Sequence, residues 1–324
     1  MSGMRNPRRR GFRTLKIPAV PGRIASLKAA MTEEEQARIA HRRFYEAGQE
    51  AGFVDQHPTA NAQTESASYR LAFRDTDFLL REELRPVRFQ LELLKTEMLL
   101  EEAGIGSTLV VYGSARIPAP EAAAARVAAA SDPQARAIAT RLAAKTKYYE
   151  EARKLARIAS EAAIVENGKR QFVVCSGGGP AIMEAANRGA AEVGAETIGL
   201  NIVLPHEQAP NRWVTPRLAF QFHYFALRKM HFLLRARAVA VFPGGFGTLD
   251  EMMELLTLIQ TGKMRPIPVL LFGSDFWRRV IDFEAMAEEG VVNRADLSLF
   301  TWVETAEEAW AAIADFYGIA PRSA

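Results

Sequence analysis

The sequence predicts an α/β fold, a doubly wound, mostly parallel sheet with helices on both faces, preceded by a helical N-terminal extension. Three observations carry that expectation. From about residue 105 onward, short β-branched apolar runs alternate with longer segments of helical spacing. Three of those runs open directly into glycine turns: Gly113-Ser-Ala-Arg116, Ser176-Gly-Gly-Gly179 and Pro243-Gly-Gly-Phe-Gly247. The apolar runs, such as Pro268-Val-Leu-Leu-Phe272, are of strand length and far short of a membrane span.

The 324 residues, 48% hydrophobic and 24% charged, suffice for one large domain and an appendage. The expected division is a disordered basic tail over 1–31, a helical extension over 32–104 and the sheet domain over 105–320. The net charge of +3 belongs to the tail, because Arg5, Arg8, Arg9, Arg10, Arg13 and Lys16 all precede the first acid, Glu33. Without those six of the 41 basic residues, 35 stand against 38 acids, a balance of −3. The body therefore has no surplus for a phosphate backbone, and neither nucleic acid nor membrane is an expected partner. The single cysteine, Cys175, excludes an internal disulfide, and five scattered histidines show no metal-ligand spacing. A cytoplasmic protein without metal or cofactor is expected, with Cys175 serving as a small buried hydrophobe.

In chain order, Thr32 with Glu33-Glu-Glu35 starts a helix that runs to about Glu50, with Ile39, Phe44 and Ala47 on one face. Residues 52–68 are polar and without period. A second helical region spans Tyr69 to Ala103, bent or interrupted near Pro86, and carries Phe89, Leu91, Leu93, Leu94, Met98, Leu99 and Leu100. Ser107 to Tyr112 is the first buried strand. Pro120 to Asn167 reads as one or two helices, broken near Ser131-Asp-Pro133 and ended by Gly168. Gln171 to Cys175 is a strand, followed by a helix with Pro180 in its first turn and Ile182, Met183 and Ala186 on its apolar face.

Glu196 to Val203 is the third strand, and a polar loop through Pro205, Pro210 and Pro216 follows. A short strand over Phe220 to Phe222 and a helix from Phe225 to Arg235 lead to the strand Ala238 to Phe242. Its helix begins near Thr248 and runs to Gly262. Strand Ile267 to Phe272, helix Phe276 to Glu288, strand Leu299 to Val303 and helix Ala306 to Tyr317, capped by Thr305, complete the chain.

Loops at the C-terminal ends of parallel strands share one edge, so the three glycine turns converge on one crevice. Gly244, Gly245 and Gly247 let bare backbone amides approach a ligand, and the helix after them adds unpaired N–H groups and the positive end of its dipole. A phosphate suits that place, and the three turns together indicate a nucleotide or phosphosugar site. Thr248-Leu-Asp-Glu251 is equally a capping box, in which Thr248 and Glu251 only satisfy the first amides of the helix. No Gly-Lys-Ser/Thr follows any turn and the dinucleotide spacing is absent, which disfavours kinases, NTPases and dehydrogenases.

Pro243-Gly-Gly-Phe-Gly-Thr-Leu-Asp-Glu251 resembles the P-G-G-x-G-T-x-x-E signature of the LOG family, the cytokinin riboside 5′-monophosphate phosphoribohydrolases, often labelled lysine decarboxylases. Arg228-Lys229 lies upstream at the spacing of that family, and Ser176-Gly-Gly-Gly-Pro-Ala-Ile-Met-Glu-Ala-Ala-Asn-Arg-Gly189 resembles its second loop and helix. The resemblance runs from about Thr108 to Phe283. It implies a Rossmann-like fold, cleavage of a nucleoside 5′-monophosphate into free base and ribose 5-phosphate, and a homodimer or higher homo-oligomer. It makes Arg228 and Glu251 the catalytic pair. Substrate contacts fall to Lys229, Thr257, Glu207, the stretch Pro243, Gly244, Gly245, Gly247, Thr248 and Leu249, and the loops Gly113, Ser114, Ser176, Gly177, Gly178 and Gly179, with Met183 as pocket wall. Glu184 and Arg116 are open to a ligand role or a surface one.

The long N-terminal part and the Ala-rich segment near 120–146 depart from the short plant-type members and look more like the longer bacterial class. A non-catalytic nucleotide-binding or cofactor-carrier protein remains the alternative, because fold and phosphate loops do not fix function. Pyridoxal-dependent decarboxylation is disfavoured, because nothing marks a Schiff-base lysine.

Overall fold

A computed structural model describes residues 44–56, 59–205 and 209–319. The tail over 1–31, the start of the first helix and Glu207 lie outside the described residues. Two compact units divide the chain after Leu80. In the first, helix α1 (Ala47–Gln56) continues past the expected end at Glu50, and Arg74 donates to the Asp55 carboxylate at 2.9 Å. One further turn of helix, α2 (Thr76–Leu79), starts at Asp75, whose side chain accepts from the Phe78 amide.

The second unit opens with α3 (Arg85–Glu102), which therefore falls with the sheet. Pro86 does not bend a long helix. It stands in the first turn of α3, where its missing N–H costs nothing, and the residues before it form separate short turns.

The sheet has seven strands in the order β6-β5-β4-β1-β7-β8-β9, and every pairing in it is parallel. They are β1 (Thr108–Tyr112), β4 (Val173–Ser176), β5 (Ile198–Ile202), β6 (Ala219–Phe222), β7 (Ala236–Val241), β8 (Val269–Phe272) and β9 (Thr301–Val303). Alternate residues of the central strands enter opposite cores, Val110, Cys175 and Val239 in one and Leu109, Val174 and Ala238 in the other. Both faces are covered, which is why the strands read as unbroken apolar runs rather than alternating ones.

Around them lie α4 (Pro120–Ala128), α5 (Pro133–Ala143), α6 (Thr146–Glu161), α7 (Ile182–Ala191), α8 (Phe225–Leu234), α9 (Phe246–Gln260), α10 (Ser274–Val280), α11 (Phe283–Glu288) and α12 (Ala306–Tyr317). The Ala-rich segment thus makes three helices instead of one or two. Asn167-Gly168 does not end a helix either. Both residues have positive φ, 51° and 74°, and they turn a small antiparallel hairpin, β2 (Val165–Glu166) with β3 (Lys169–Arg170). Pro180 precedes α7 instead of sitting in its first turn, and the segment expected as one helix from Phe276 is split into α10 and α11. Thr305 caps α12 in a full capping box with Glu308, as its sequence indicates.

From β1 the chain steps outward through β4, β5 and β6, then crosses back to β7 on the other side of β1. The loops after β1 and β7 therefore diverge, and the gap between them is the crevice at which such sheets bind ligands.

Candidate active site

A cleft of about 720 Å³ opens at that switch point. Gly113, Ser114, Gly177, Gly179, Met183, Arg228, Gly244, Gly245, Gly247, Thr248, Leu249 and Glu251 all line it. The three glycine turns do converge. The Ser114 amide donates to the Pro243 carbonyl at 3.1 Å, tying the first turn to the third, and the Ile182 amide donates to the Ser114 carbonyl.

Ser176 and Gly178 act beneath the surface of the cleft. The Ser176 hydroxyl accepts from the Gly178 amide and donates to Asn187 at 2.7 Å, and Asn187 is held in turn by Thr197 and Asn211. This buried network fixes the second turn. Gly177 is required by a close approach: a Cβ there would stand 2.6 Å from Nη2 of Arg228 and 2.8 Å from the sulfur of Met183. The demand at the third turn is different. A Cβ on Gly245 or Gly247 would meet nothing within 4 Å, so protein packing does not explain the missing side chains, and the space is free for a ligand.

Helix α9 starts earlier than expected. Its N-cap is Gly245, so Thr248 is already in the first turn and Glu251 is nearly two turns in. No side chain caps the helix, and the capping-box reading of Thr248 and Glu251 is therefore overturned. The amides of Phe246, Gly247 and Thr248 have no intrahelical partner, which is the condition for binding an anion.

Glu251 faces Arg228 across the inner wall, Oε1 to Nη1 3.5 Å, with side-chain exposures of 16% and 12%. Arg228 is anchored by its Nε, which donates to the Leu200 carbonyl at 2.6 Å, and its guanidinium lies 5.1 Å over the Phe232 ring. Burial pushes the Glu251 carboxyl up to about 7, against the pull of Arg228; Asp250 and Glu254 add to the rise and Lys229 opposes it. A carboxyl so placed exchanges protons near neutral pH. The same burial pushes the Cys175 thiol and the Tyr112 hydroxyl upward, so neither is a nucleophile.

Lys229 and Thr257 are not brought into the cleft. Lys229 turns to the outer side of α9, 3.0 Å from Asp250 and 2.9 Å from Glu254. Burial alone would lower its ammonium, but the hydrogen bonds to Glu254 and Asp250 hold it above its ordinary range. Thr257 donates to the Met253 carbonyl within the helix and lines a shallow groove with Phe246, Asp250 and Glu254. Pro243 shapes the third turn without lining the cleft.

Arg116 does line it. So do Asn201, Ile202, Leu204, Phe225, Phe276 and Val280, which sequence reasoning missed. A signal existed for Asn201, a polar residue within the apolar run Ile198-Gly-Leu-Asn-Ile202, and its Oδ1 is buried without a hydrogen-bond partner. Among the described residues no group of three or more His, Cys, Asp or Glu is placed to hold a metal ion, and no helix is long and apolar enough to cross a membrane.

Residues 183–313 match the family model described as possible lysine decarboxylase, the other label of the LOG family. The matched stretch is thus similar to the family that the sequence resembles, over less than half of the chain. The molybdenum cofactor binding protein from the phototrophic bacterium Rippkaea orientalis is a similar solved structure, 20% identical over 53% of this chain and 88% of that one, with a TM-score of 0.37. The X-ray structure of TM1055 is another, 19% identical over 64% of this chain and 99% of that one, with a TM-score of 0.41. No curated protein sequence matches the chain.

Proposed function

We propose that the protein hydrolyses the N-glycosidic bond of nucleoside 5′-monophosphates, AMP or cytokinin riboside 5′-monophosphates, to the free base and ribose 5-phosphate. The observation that carries this reading is the buried Arg228–Glu251 pair on the wall of a cleft that ends at the uncapped start of α9. The family match over 183–313 agrees with it.

The chemistry follows from these parts. A 5′-phosphate dianion takes the amides of Phe246, Gly247 and Thr248, in the space left by Gly245 and Gly247. Its ribose then lies along the wall that holds Glu251. As the C1′–N bond breaks, its electron pair leaves with the base and positive charge grows on the sugar, where a carboxylate stabilises it. Water adds to C1′, Glu251 accepts its proton, and the departing base regains a proton. A carboxyl that titrates near 7 performs both halves of that exchange. Ile202, Leu204, Phe225, Phe276 and Val280 supply apolar surface suited to a flat base.

A homodimer is the proposed assembly. Val87, Leu91, Leu94 and Met98 of α3 are exposed at the four-three-four spacing of a helix-pairing seam. Light scattering at micromolar concentration checks it, and a monomer would remove it.

The deciding assay is release of free base from AMP and from isopentenyladenosine 5′-monophosphate, with adenosine and ATP as comparisons and EDTA present. Turnover of the monophosphates alone is expected. Equal turnover of adenosine would remove the role of the phosphate, and nucleotide binding without base release would favour a carrier.

A further inference from the structure

Arg228 rides on α8, and α8 is held at both ends by α3, a helix upstream of the stretch that resembles the family. At its start, α8 has no side-chain cap of its own from Tyr224. Glu92 of α3 reaches across instead, its carboxylate accepting from the His223 amide at 2.7 Å and the Tyr224 amide at 3.2 Å. The Phe89 ring packs on Tyr224 beside this contact, with centroids 4.8 Å apart. At the far end, Glu97 stands 3.3 Å from Nδ1 of His231 and accepts from Nη2 of Arg235 at 3.1 Å. Arg235 in turn donates to the Ile105 carbonyl, which closes the bracket onto the chain just before β1.

Arg228 lies between these two clamps, one turn after Tyr224, whose carbonyl accepts from its amide, and one turn before His231. We propose that Glu92 and Glu97 are positioning residues, which fix α8 so that the Arg228 guanidinium faces Glu251. The argument is one of distance. At 3.5 Å the Arg228–Glu251 contact is wider than a tight charge-assisted bond, which is about 2.7–2.9 Å. The other side of the guanidinium is tied to Leu200. A small slide of α8 therefore changes how strongly the cation acts on the carboxylate, in a buried place where such changes are least screened. Misplacement by about 1 Å costs up to a hundredfold in rate in comparable sites.

The role in turnover rests on the phosphoribohydrolase reading, so the test has a second readout. Full-length wild type, Glu92→Ala, Glu92→Gln and Glu97→Gln are assayed for base release from AMP, and the Glu251 carboxyl is titrated in each by carbon-13 NMR. In Glu92→Ala, kcat is expected to fall about tenfold with KM within about twofold. Its Glu251 midpoint is expected to rise by about half a unit or more, as the cation retreats. Glu92→Gln keeps one acceptor oxygen and is expected to recover most of both. A folded Glu92→Ala with kcat and midpoint unchanged overturns the proposal. If that variant does not fold, Glu97→Gln, which loses the charge facing Arg235 and His231, decides on the same two readouts: a lower kcat with a raised midpoint upholds the bracket, and no change in either overturns it. If the wild type releases no base, the midpoint decides alone: a shift upholds the bracket while the reaction falls, and no shift removes the bracket.

Discussion

Two cations adjacent in sequence, Arg228 and Lys229, meet two acids adjacent in sequence, Asp250 and Glu251, and the fold sorts them into two unlike pairs. Arg228 and Glu251 meet inside the cleft, both largely buried. Lys229 meets Asp250 and Glu254 on the outer side of α9, where Asp250 is 60% exposed. The outer acids are screened by water and serve to neutralise Lys229, whereas the inner acid has lost its hydration and binds its proton up to about pH 7. The same charges in the same stretch of chain thus give a structural pair and a reactive one. Burial separates them.

The largest effect that would break this contrast is on turnover. Glu251→Gln removes the proton acceptor and the negative charge but keeps the size of the side chain. Base release from AMP is expected to fall by at least about a hundredfold, with AMP binding retained by calorimetry. Near-normal turnover would make the inner pair as structural as the outer one.

Stability against pH sharpens the contrast next. The Glu251 carboxyl has its folded value raised from the ordinary 4.5 to about 7, so the folded protein holds a proton that the unfolded chain releases. Its contribution to stability is fully present below pH 4.5 and is lost as pH rises to 7. The loss amounts to roughly 3–4 kcal/mol at about 1.4 kcal/mol per unit. Urea unfolding at pH 5 and pH 8 should show a fall in the wild type that Glu251→Gln lacks. Lys229 is raised above an already high value, so its contribution is lost only above its ordinary range near 10.5, outside this window. Parallel pH curves for wild type and Glu251→Gln would show that burial does not perturb the inner acid.

Arg228→Lys tests the geometry of the inner pair. Arginine uses Nε on the Leu200 carbonyl while its Nη1 faces Glu251, and one ammonium cannot occupy both places. A fall of about tenfold in kcat is expected, with the charge conserved. Unchanged turnover would mean that charge alone suffices.

Much of this was legible in the sequence, and the illegible part has physical causes. Strands such as Thr108–Tyr112 announce themselves because both faces of the sheet are covered. The turn Pro243-Gly-Gly-Phe-Gly247 is legible because bare backbone beside a ligand requires glycine. Helix boundaries were less so. Thr248 looked like a cap, but the chain becomes helical at Phe246, and only the backbone geometry shows that Gly245 is the first half-turned residue. Asn167-Gly168 carried a hairpin signal that was lost beside a long Ala-rich helix. Phe276 and Val280 were invisible as cleft residues, since their place depends on how α10 packs after β8 rather than on local pattern. The resemblance also could not tell that Lys229 faces away from Arg228, because adjacent helical residues diverge by about 100° around the axis.

The smallest expected effect concerns that outer lysine. Lys229→Met keeps the aliphatic stem and removes the charge. Its partners Asp250 and Glu254 are 60% and 37% exposed, so water replaces the lost cation and the cost to stability is about 1 kcal/mol or less. In a single chain Lys229 lies outside the cleft, and its pull on Glu251 is weaker than that of Arg228, so base release should stay within about threefold of wild type and the optimum should move slightly upward. A loss of a hundredfold with stability unchanged would show that Lys229 touches substrate after all. Its partners Asp250 and Glu254 line the groove of Phe246 and Thr257, so that outcome would point to a substrate seated there and completed by a second copy of the chain. Dilution below the dimer's dissociation constant would then abolish the activity of the wild type, whereas a cleft complete within one chain keeps its specific activity on dilution.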